Sequence, residues 1–312
     1  MNTGRLGLIA CFTLLAGGLF TLSAQTPNAN GVPVHMVVTV EPRHGSDVPT
    51  LNREDVMVYE GKDRDQVIDW VPAQGDRAGL EVFVLLDDSS GSSLDTQLAD
   101  IKKFISAQPA SAKVGIAYMQ NGTARVEQDL TSDRDLAIKA IRLPMGYVGA
   151  NSSPYFSLSD LAKRWLPDGT RHEVLMVTSG IDFYYGIGDM LDPYLAAAIQ
   201  DSQRAGILVS AIYAPGVGHF GHSYWLNYWG QMYLAQLAEE TGGEAYYIGF
   251  NGPAVDFTPY LKDLTNRFSH QYLLTCLAKP EKKPGMRPVK VRTEVHNVDL
   301  VAAQSVYVPG TE

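Results

Sequence analysis

The sequence predicts an α/β protein: a doubly wound, mostly parallel sheet joined to a small β module built from N- and C-terminal strands. Three observations carry this. Between residues 79 and 270, continuous apolar runs alternate with segments of helical spacing, and that alternation is the mark of a parallel sheet covered by helices on both faces. The flanks, residues 31–76 and 271–310, carry short β-branched runs broken by turn residues instead. The chain has 312 residues, 45% hydrophobic and 19% charged, the balance of an ordinary globular protein of about two domains.

The N-terminal flank opens with Val34-His35-Met36-Val37-Val38-Thr39-Val40, followed by Val56–Tyr59 and Val67–Trp70. Short runs of this kind read as strands of a small β module. After a linker around Gly75-Asp76 comes Val82-Phe83-Val84-Leu85-Leu86, a continuous apolar run expected of a strand buried on both faces. Leu94, Leu98, Ile101, Phe104 and Ile105 recur at helical spacing. Val114–Tyr118 is the next strand, Asn121-Gly122 a hairpin turn, and Ala124–Val126 the returning strand. Short helices are expected around Leu136–Ile141 and Leu158–Trp165, and a buried strand at Val174–Val177. Asp192-Pro193 starts a helix with a capping carboxylate and a proline in its first turn, and Gly206 ends it. Ile207–Tyr213 is a strand, Tyr224–Glu240 a helix stopped by Gly242-Gly243, Ala245–Ile248 a strand and Tyr260–Phe268 a helix. Strands return at Tyr272–Leu277, Val289–Val295 and Leu300–Val308. All three, within residues 271–310, are expected to pack with the N-terminal module.

The first 24 residues read as a signal peptide. Arg5 gives a positive start, Leu6 to Leu22 an apolar run, and Ser23-Ala24-Gln25 a small-residue cleavage site. Export to the periplasm or the medium is therefore expected. An uncleaved anchor is the alternative, since the run of about 17 residues sits at the lower limit for spanning a bilayer. Leu8-Ile9-Ala10-Cys11 resembles a lipobox, but it lies too close to Arg5 to leave room for an apolar segment. No later stretch is long and apolar enough to span a membrane. The formal charge of −9 disfavours nucleic acid as a partner. After cleavage one cysteine remains, Cys276, inside an apolar run, where an inert buried thiol is expected.

In an open α/β sheet, ligands bind beyond the carboxyl ends of the strands. The first buried strand is followed there by Asp87-Asp88-Ser89-Ser90-Gly91-Ser92-Ser93. An Asp-x-Ser-x-Ser turn offers a carboxylate and two hydroxyls to one side, the hard oxygen ligands that Mg²⁺ prefers. Asp88, Ser90 and Ser92 fit that pattern. A second register, starting from Asp87 and Ser89, puts Gly91 at the last serine position. The plainer reading of the turn is a helix cap, which Ser and Asp also favour.

The run LLDDSSGSS, in this order of strands and helices, resembles a von Willebrand factor A domain, a Rossmann-like fold whose Asp-x-Ser-x-Ser motif opens a metal-ion-dependent adhesion site. The flanks LNREDVMVYEGKDRDQVIDW, HQYLLTCLAKP and VKVRTEV resemble those of the bacterial, Acidobacteria-type group of VWFA-related proteins. The resemblance implies a divalent cation, Mg²⁺ or another, held by Asp88, Ser90 and Ser92. It also implies a Thr before the third helix, for which Ser153 is the match and Ser152 the next. The family's Asp in a Thr-Asp-Gly triplet is replaced here by Ser179, in Thr178-Ser179-Gly180, with Asp182 three residues on as a substitute. The site is thus partly degenerate. In the family an acidic group of a protein partner fills the last coordination position.

The loops at the same strand ends are rich in aromatics: Tyr155 in one, Tyr184 and Tyr185 in another, His219, His222 and Trp225 in a third. Tyr and Trp dominate binding hot spots, so these six residues form a candidate surface for a partner; packing of the loops on one another is the competing reading. No Gly-x-Ser-x-Gly elbow, His-Glu-x-x-His, phosphate loop or Cys-x-x-Cys occurs. The expectation is therefore a binding protein for interaction or adhesion, with no turnover and no organic cofactor. A metal-independent envelope scaffold using the aromatic loops is the alternative.

Overall fold

The computed structural model describes residues 31–75, 79–146, 149, 152–165, 170–185, 192–215, 223–249 and 254–310, without the side chains of 91–93. The expected signal peptide lies outside these residues. Among the described residues no helix is long and apolar enough to cross a membrane.

Six strands form the α/β sheet: β4 (Leu80–Asp87), β5 (Lys113–Gln120), β6 (Thr123–Thr131), β7 (Arg171–Thr178), β8 (Ile207–Tyr213) and β9 (Ala245–Tyr246). Their order is β6-β5-β4-β7-β8-β9. All neighbours run parallel except β5 and β6. That pair is joined through Asn121 and Gly122, both at positive φ, the conformation a two-residue hairpin turn demands. β4, β7 and β8 are buried along their whole length, because helices cover both faces. α1 (Asp95–Ala107) and α6 (Thr258–Ser269) pack on one face through Leu98, Ile101, Phe104, Leu261 and Phe268, with the short α2 (Arg134–Lys139) beside them. α3 (Pro154–Arg164), α4 (Pro193–Arg204) and α5 (Tyr224–Thr241) cover the other. Asp192 caps α4 as its sequence position requires, accepting bonds from the Tyr194 and Leu195 amides. The chain leaves β4 in opposite directions toward β5 and β7. The carboxyl end of β4 is therefore the topological switch point, where α/β sheets take ligands.

The second sheet is antiparallel, in the order β12-β1-β10-β3-β2-β11-β13. Its members are β1 (Val32–Pro42), β2 (Val56–Glu60), β3 (Asp63–Pro72), β10 (Gln271–Ala278), β11 (Gly285–Thr293), β12 (Val298–Ala302) and β13 (Ser305–Val308). Strands from the two ends of the chain alternate in it. Val34, Met36, Val38 and Val40 point to one face at the period of two and form its core with Val58, Trp70, Leu274 and Val289. Two expectations are corrected. Seven strands are a large sheet, not a small module. The single strand expected over Leu300–Val308 is two, since β12 pairs with β1 and β13 with β11. The chain breaks at Gln304, whose amide bonds to the Glu240 carbonyl of α5. The strand expected over Ala245–Ile248 also stops early, where Tyr247 takes a positive φ.

A buried polar seam joins the two sheets. Arg171 donates to the Phe268 carbonyl at 2.7 Å and to Gln271 Oε1 at 2.8 Å. Gln271 donates in turn to Glu173 Oε1 at 2.6 Å, and Arg267 pairs with Glu41 and Glu244.

Candidate functional site at the end of the parallel sheet

β4 ends on Asp87, and the chain turns at once into a 3-10 helix, Asp88–Leu94, that leads into α1. The two adjacent carboxylates have different partners. Asp87 faces the protein interior. Its Oδ1 accepts from the Ser89 amide at 2.9 Å and the Ser89 hydroxyl at 2.6 Å, and its Oδ2 accepts from Thr178 Oγ1 at 2.6 Å. Thr178 is the last residue of the neighbouring β7. Burial pushes the Asp87 carboxyl above its ordinary range, against these hydrogen bonds.

Asp88 is held from three directions. Arg142 grips it bidentately, Nη1 to Oδ1 at 2.7 Å and Nη2 to Oδ2 at 3.1 Å. Gln120 Nε2 adds a bond to Oδ2 at 2.5 Å, and the Met145 amide one to Oδ1 at 2.8 Å. Burial works to raise this carboxyl, yet the bonds from Arg142, Gln120 and Met145 and the guanidinium charge bring it below the ordinary value. Arg142 is itself fixed. Its guanidinium lies 3.8 Å from the centre of the Tyr118 ring. The Tyr118 hydroxyl accepts from the Arg142 amide and donates to the Arg142 carbonyl, both at 2.7 Å.

Ser153 and Asp182 meet in a second group. Ser153 caps α3, accepting from the Phe156 amide, and its hydroxyl donates to Asp182 Oδ2 at 2.6 Å. Asp182 Oδ1 accepts from the Tyr184 and Tyr185 amides at 2.8 and 3.0 Å. The structure thus brings Ser153 to Asp182, while Asp88 is joined to Arg142; among the described residues no hydrogen bond is recorded between the two groups. Ser90 is buried in the 3-10 turn. Ser92 lies in the same turn, with its side chain outside the described residues.

These donors do not fit a divalent cation as they stand. Such an ion needs several oxygens converging on one point. Here both Asp88 oxygens face a guanidinium, while Asp182 commits Oδ1 to amides of its own loop and Oδ2 to the Ser153 hydroxyl. Among the described residues no group of three or more His, Cys, Asp or Glu could hold a metal. The positive charge at the switch point is Arg142. Sequence reasoning did not single it out, because Arg142 sits in an irregular loop 54 positions from Asp88, with no motif linking them.

The close packing below the site depends on two glycines. Gly180 follows Thr178-Ser179 at positive φ, and a Cβ there would lie 2.3 Å from the Gly230 carbonyl oxygen in α5. A Cβ on Gly230 would lie 2.2 Å from the Ser179 carbonyl oxygen. Only two bare backbones pass this closely.

The aromatic residues divide by burial. Tyr155 is a core residue, fully buried, with its hydroxyl donating to the Gly180 carbonyl at 2.7 Å and its ring edge-on to Tyr233. It has no surface to offer a partner. Tyr184 and Tyr185 are exposed and lean on Tyr194, with Phe156 completing the cluster. Trp225 is 66% and Tyr224 62% exposed on the first turn of α5, and Tyr228 is exposed one turn on. His219 and His222 lie outside the described residues.

No family model matches the sequence, and no curated protein matches it. Solved structures resemble it at low identity. An aerotolerance-related membrane protein from Bacteroides fragilis is 18% identical over 61% of this chain and 98% of its own, at a TM-score of 0.43. The VWA2 paralogue of ArnB from Sulfolobus acidocaldarius is 8% identical over 89% of this chain and 76% of its own, at 0.40. The manganese-loaded TRAP protein of Plasmodium vivax is 10% identical over 83% of this chain and all of its own, at 0.39. Six strands wound both ways from β4, with an acidic, serine-rich turn at the switch point, give this part of the chain a doubly wound α/β fold.

Proposed function

We propose that this chain is an exported bacterial interaction protein that binds a protein partner at the carboxyl end of its parallel sheet, without a metal and without turnover. The observation that carries the reading is the exposure of Tyr224, Trp225 and Tyr228 on the opening turns of α5. Exposed aromatics grouped in this way mark interaction surfaces. α5 follows β8, and Tyr184 and Tyr185 follow β7, so both exposed groups lie at the sheet end that also carries Asp88. Metal independence is supported by Arg142, which already neutralises Asp88 through two charged hydrogen bonds. Export is supported by Arg5 and the apolar run that follows it.

The test places a photoreactive residue at Trp225, at Tyr184, or at Glu281 in the loop between β10 and β11 of the antiparallel sheet, in cells of the source bacterium. Crosslinking to the same partner from the first two positions, unchanged by EDTA and absent from Glu281, supports the proposal. Equal capture from all three positions refutes it.

A second reading is favoured by the Ser153–Asp182 bond, which brings together a hydroxyl and a carboxylate of the kind an adhesion site uses. In it, Asp88, Ser90, Ser92, Ser153 and Asp182 would hold a Mg²⁺ or Mn²⁺ ion once Asp88 was freed from Arg142, and the ion would attract an acidic group of the partner. Calorimetric titration with both cations, beside an Asp88→Ala variant, separates the two. Saturable binding that is lost in the variant favours the metal reading; heats of dilution alone favour the first.

A further inference from the structure

At the opposite end of the parallel sheet a cavity of about 570 Å³ opens between the two sheets. Its size falls within the range of small-molecule sites, which often form between layers. The antiparallel sheet supplies one wall, with Val37 and Leu273. The first residues of β8, Ile207 and Leu208, supply the other, and Tyr307 of β13 stands at its side. The walls are mostly apolar. Two features give the cavity a polarity. Arg204, at the last turn of α4, lines it with its guanidinium 5.4 Å from the centre of the Tyr307 ring. No carboxylate of the described residues is recorded as pairing with Arg204. Across the cavity the cross-strand residues Asp69 and Thr275 lie side by side, with His35 Nδ1 3.0 Å from Thr275 Oγ1. The guanidinium at one side orients a ligand: an anionic head is drawn to Arg204.

We propose that this cavity binds an amphipathic carboxylate, its apolar chain lying between the two sheets and its head on Arg204. The site is separate from the aromatic surface and does not rest on the function proposed for it. An apolar chain gains by leaving water for walls of this kind, and the exposed guanidinium serves as a ready partner for a carboxylate.

The test is calorimetric titration of the mature chain with decanoate, with decyltrimethylammonium as the control of opposite charge. Saturable decanoate binding at one molecule per chain is expected, with the cation binding at least tenfold more weakly. Arg204→Ala, at an exposed position, should weaken decanoate about tenfold through loss of one charged hydrogen bond. Arg204→Lys should restore part of the loss. Ala303→Trp, which fills the cavity from its edge, should abolish binding, with Ser305→Phe as the replacement if that chain does not fold. Absence of saturable decanoate binding to the folded protein overturns the proposal. So does equal affinity for the two amphiphiles, or binding that is unchanged in both Arg204→Ala and a folded cavity-filling variant.

Discussion

Removing the guanidinium that faces Asp88 tests the site most directly. In Arg142→Ala, Asp88 loses two charged hydrogen bonds, at 2.7 and 3.1 Å, and keeps those from Gln120 and Met145. The Asp88 side chain is 2% exposed and that of Arg142 32%. Charged hydrogen bonds contribute about 1.5–3 kcal/mol each, and stripping a buried charge of its partner costs roughly 3–5 kcal/mol. The partial exposure of Arg142 and the two surviving bonds reduce this to about 2–3 kcal/mol. For a domain of this size that corresponds to a Tm lower by about 5–10 °C. The loss must depend on pH. In the wild type the folded carboxyl lies below its ordinary value, so its stabilisation is complete above the ordinary carboxylate range and disappears as pH falls toward the folded value. In the variant, burial is no longer opposed by the guanidinium, and protonation relieves the unpaired charge. The difference in Tm should therefore be wide at about pH 7 and narrow at about pH 3.5. Thermal melts followed by circular dichroism at both pH values measure it. A difference below about 3 °C at neutral pH, or one equal at both, would refute the assignment of Arg142 as the counter-charge of the site.

Three further outcomes follow from the packing and the buried groups. Gly230→Ala should lower stability by about 1–3 kcal/mol in urea denaturation, because its Cβ meets the Ser179 carbonyl oxygen at 2.2 Å; the helix-propensity gain of about 1 kcal/mol does not offset this. Burial raises the Glu173 carboxyl to about 7, against the Gln271 hydrogen bond and the charges of Arg171 and Arg267. The folded protein then holds a proton that the unfolded chain releases, and wild-type stability falls as pH rises from the ordinary carboxylate range toward 7. Glu173→Gln should flatten that fall and melt above the wild type at about pH 8; parallel profiles would count against it. Burial pushes the Cys276 thiol up to about 12, so a disulfide reagent should label it only after unfolding; rapid labelling of the native protein would show that its strand opens.

Local signals in the sequence determined the elements. The alternation of apolar runs and helical spacing marked the α/β sheet, Asn121-Gly122 the hairpin and Asp192-Pro193 the start of α4, because each depends on the backbone preferences of a few adjacent residues. The position of Asp87 and Asp88 after a buried strand also marked the strand end as the place to look for a site. Contacts between distant residues belonged to the tertiary structure. His35 meets Thr275 across 240 positions, and strands from the two chain ends alternate in one sheet, a pairing that no local period encodes. The same holds for the aromatics. Tyr155 and Tyr184 are equally aromatic in sequence, yet α3 turns one into the core while the loop after β7 leaves the other in solvent. At the site itself, residue types announced oxygen ligands. Only the fold brought Arg142 onto Asp88 and Ser153 onto Asp182, because a charge is paired with whatever the packing places beside it.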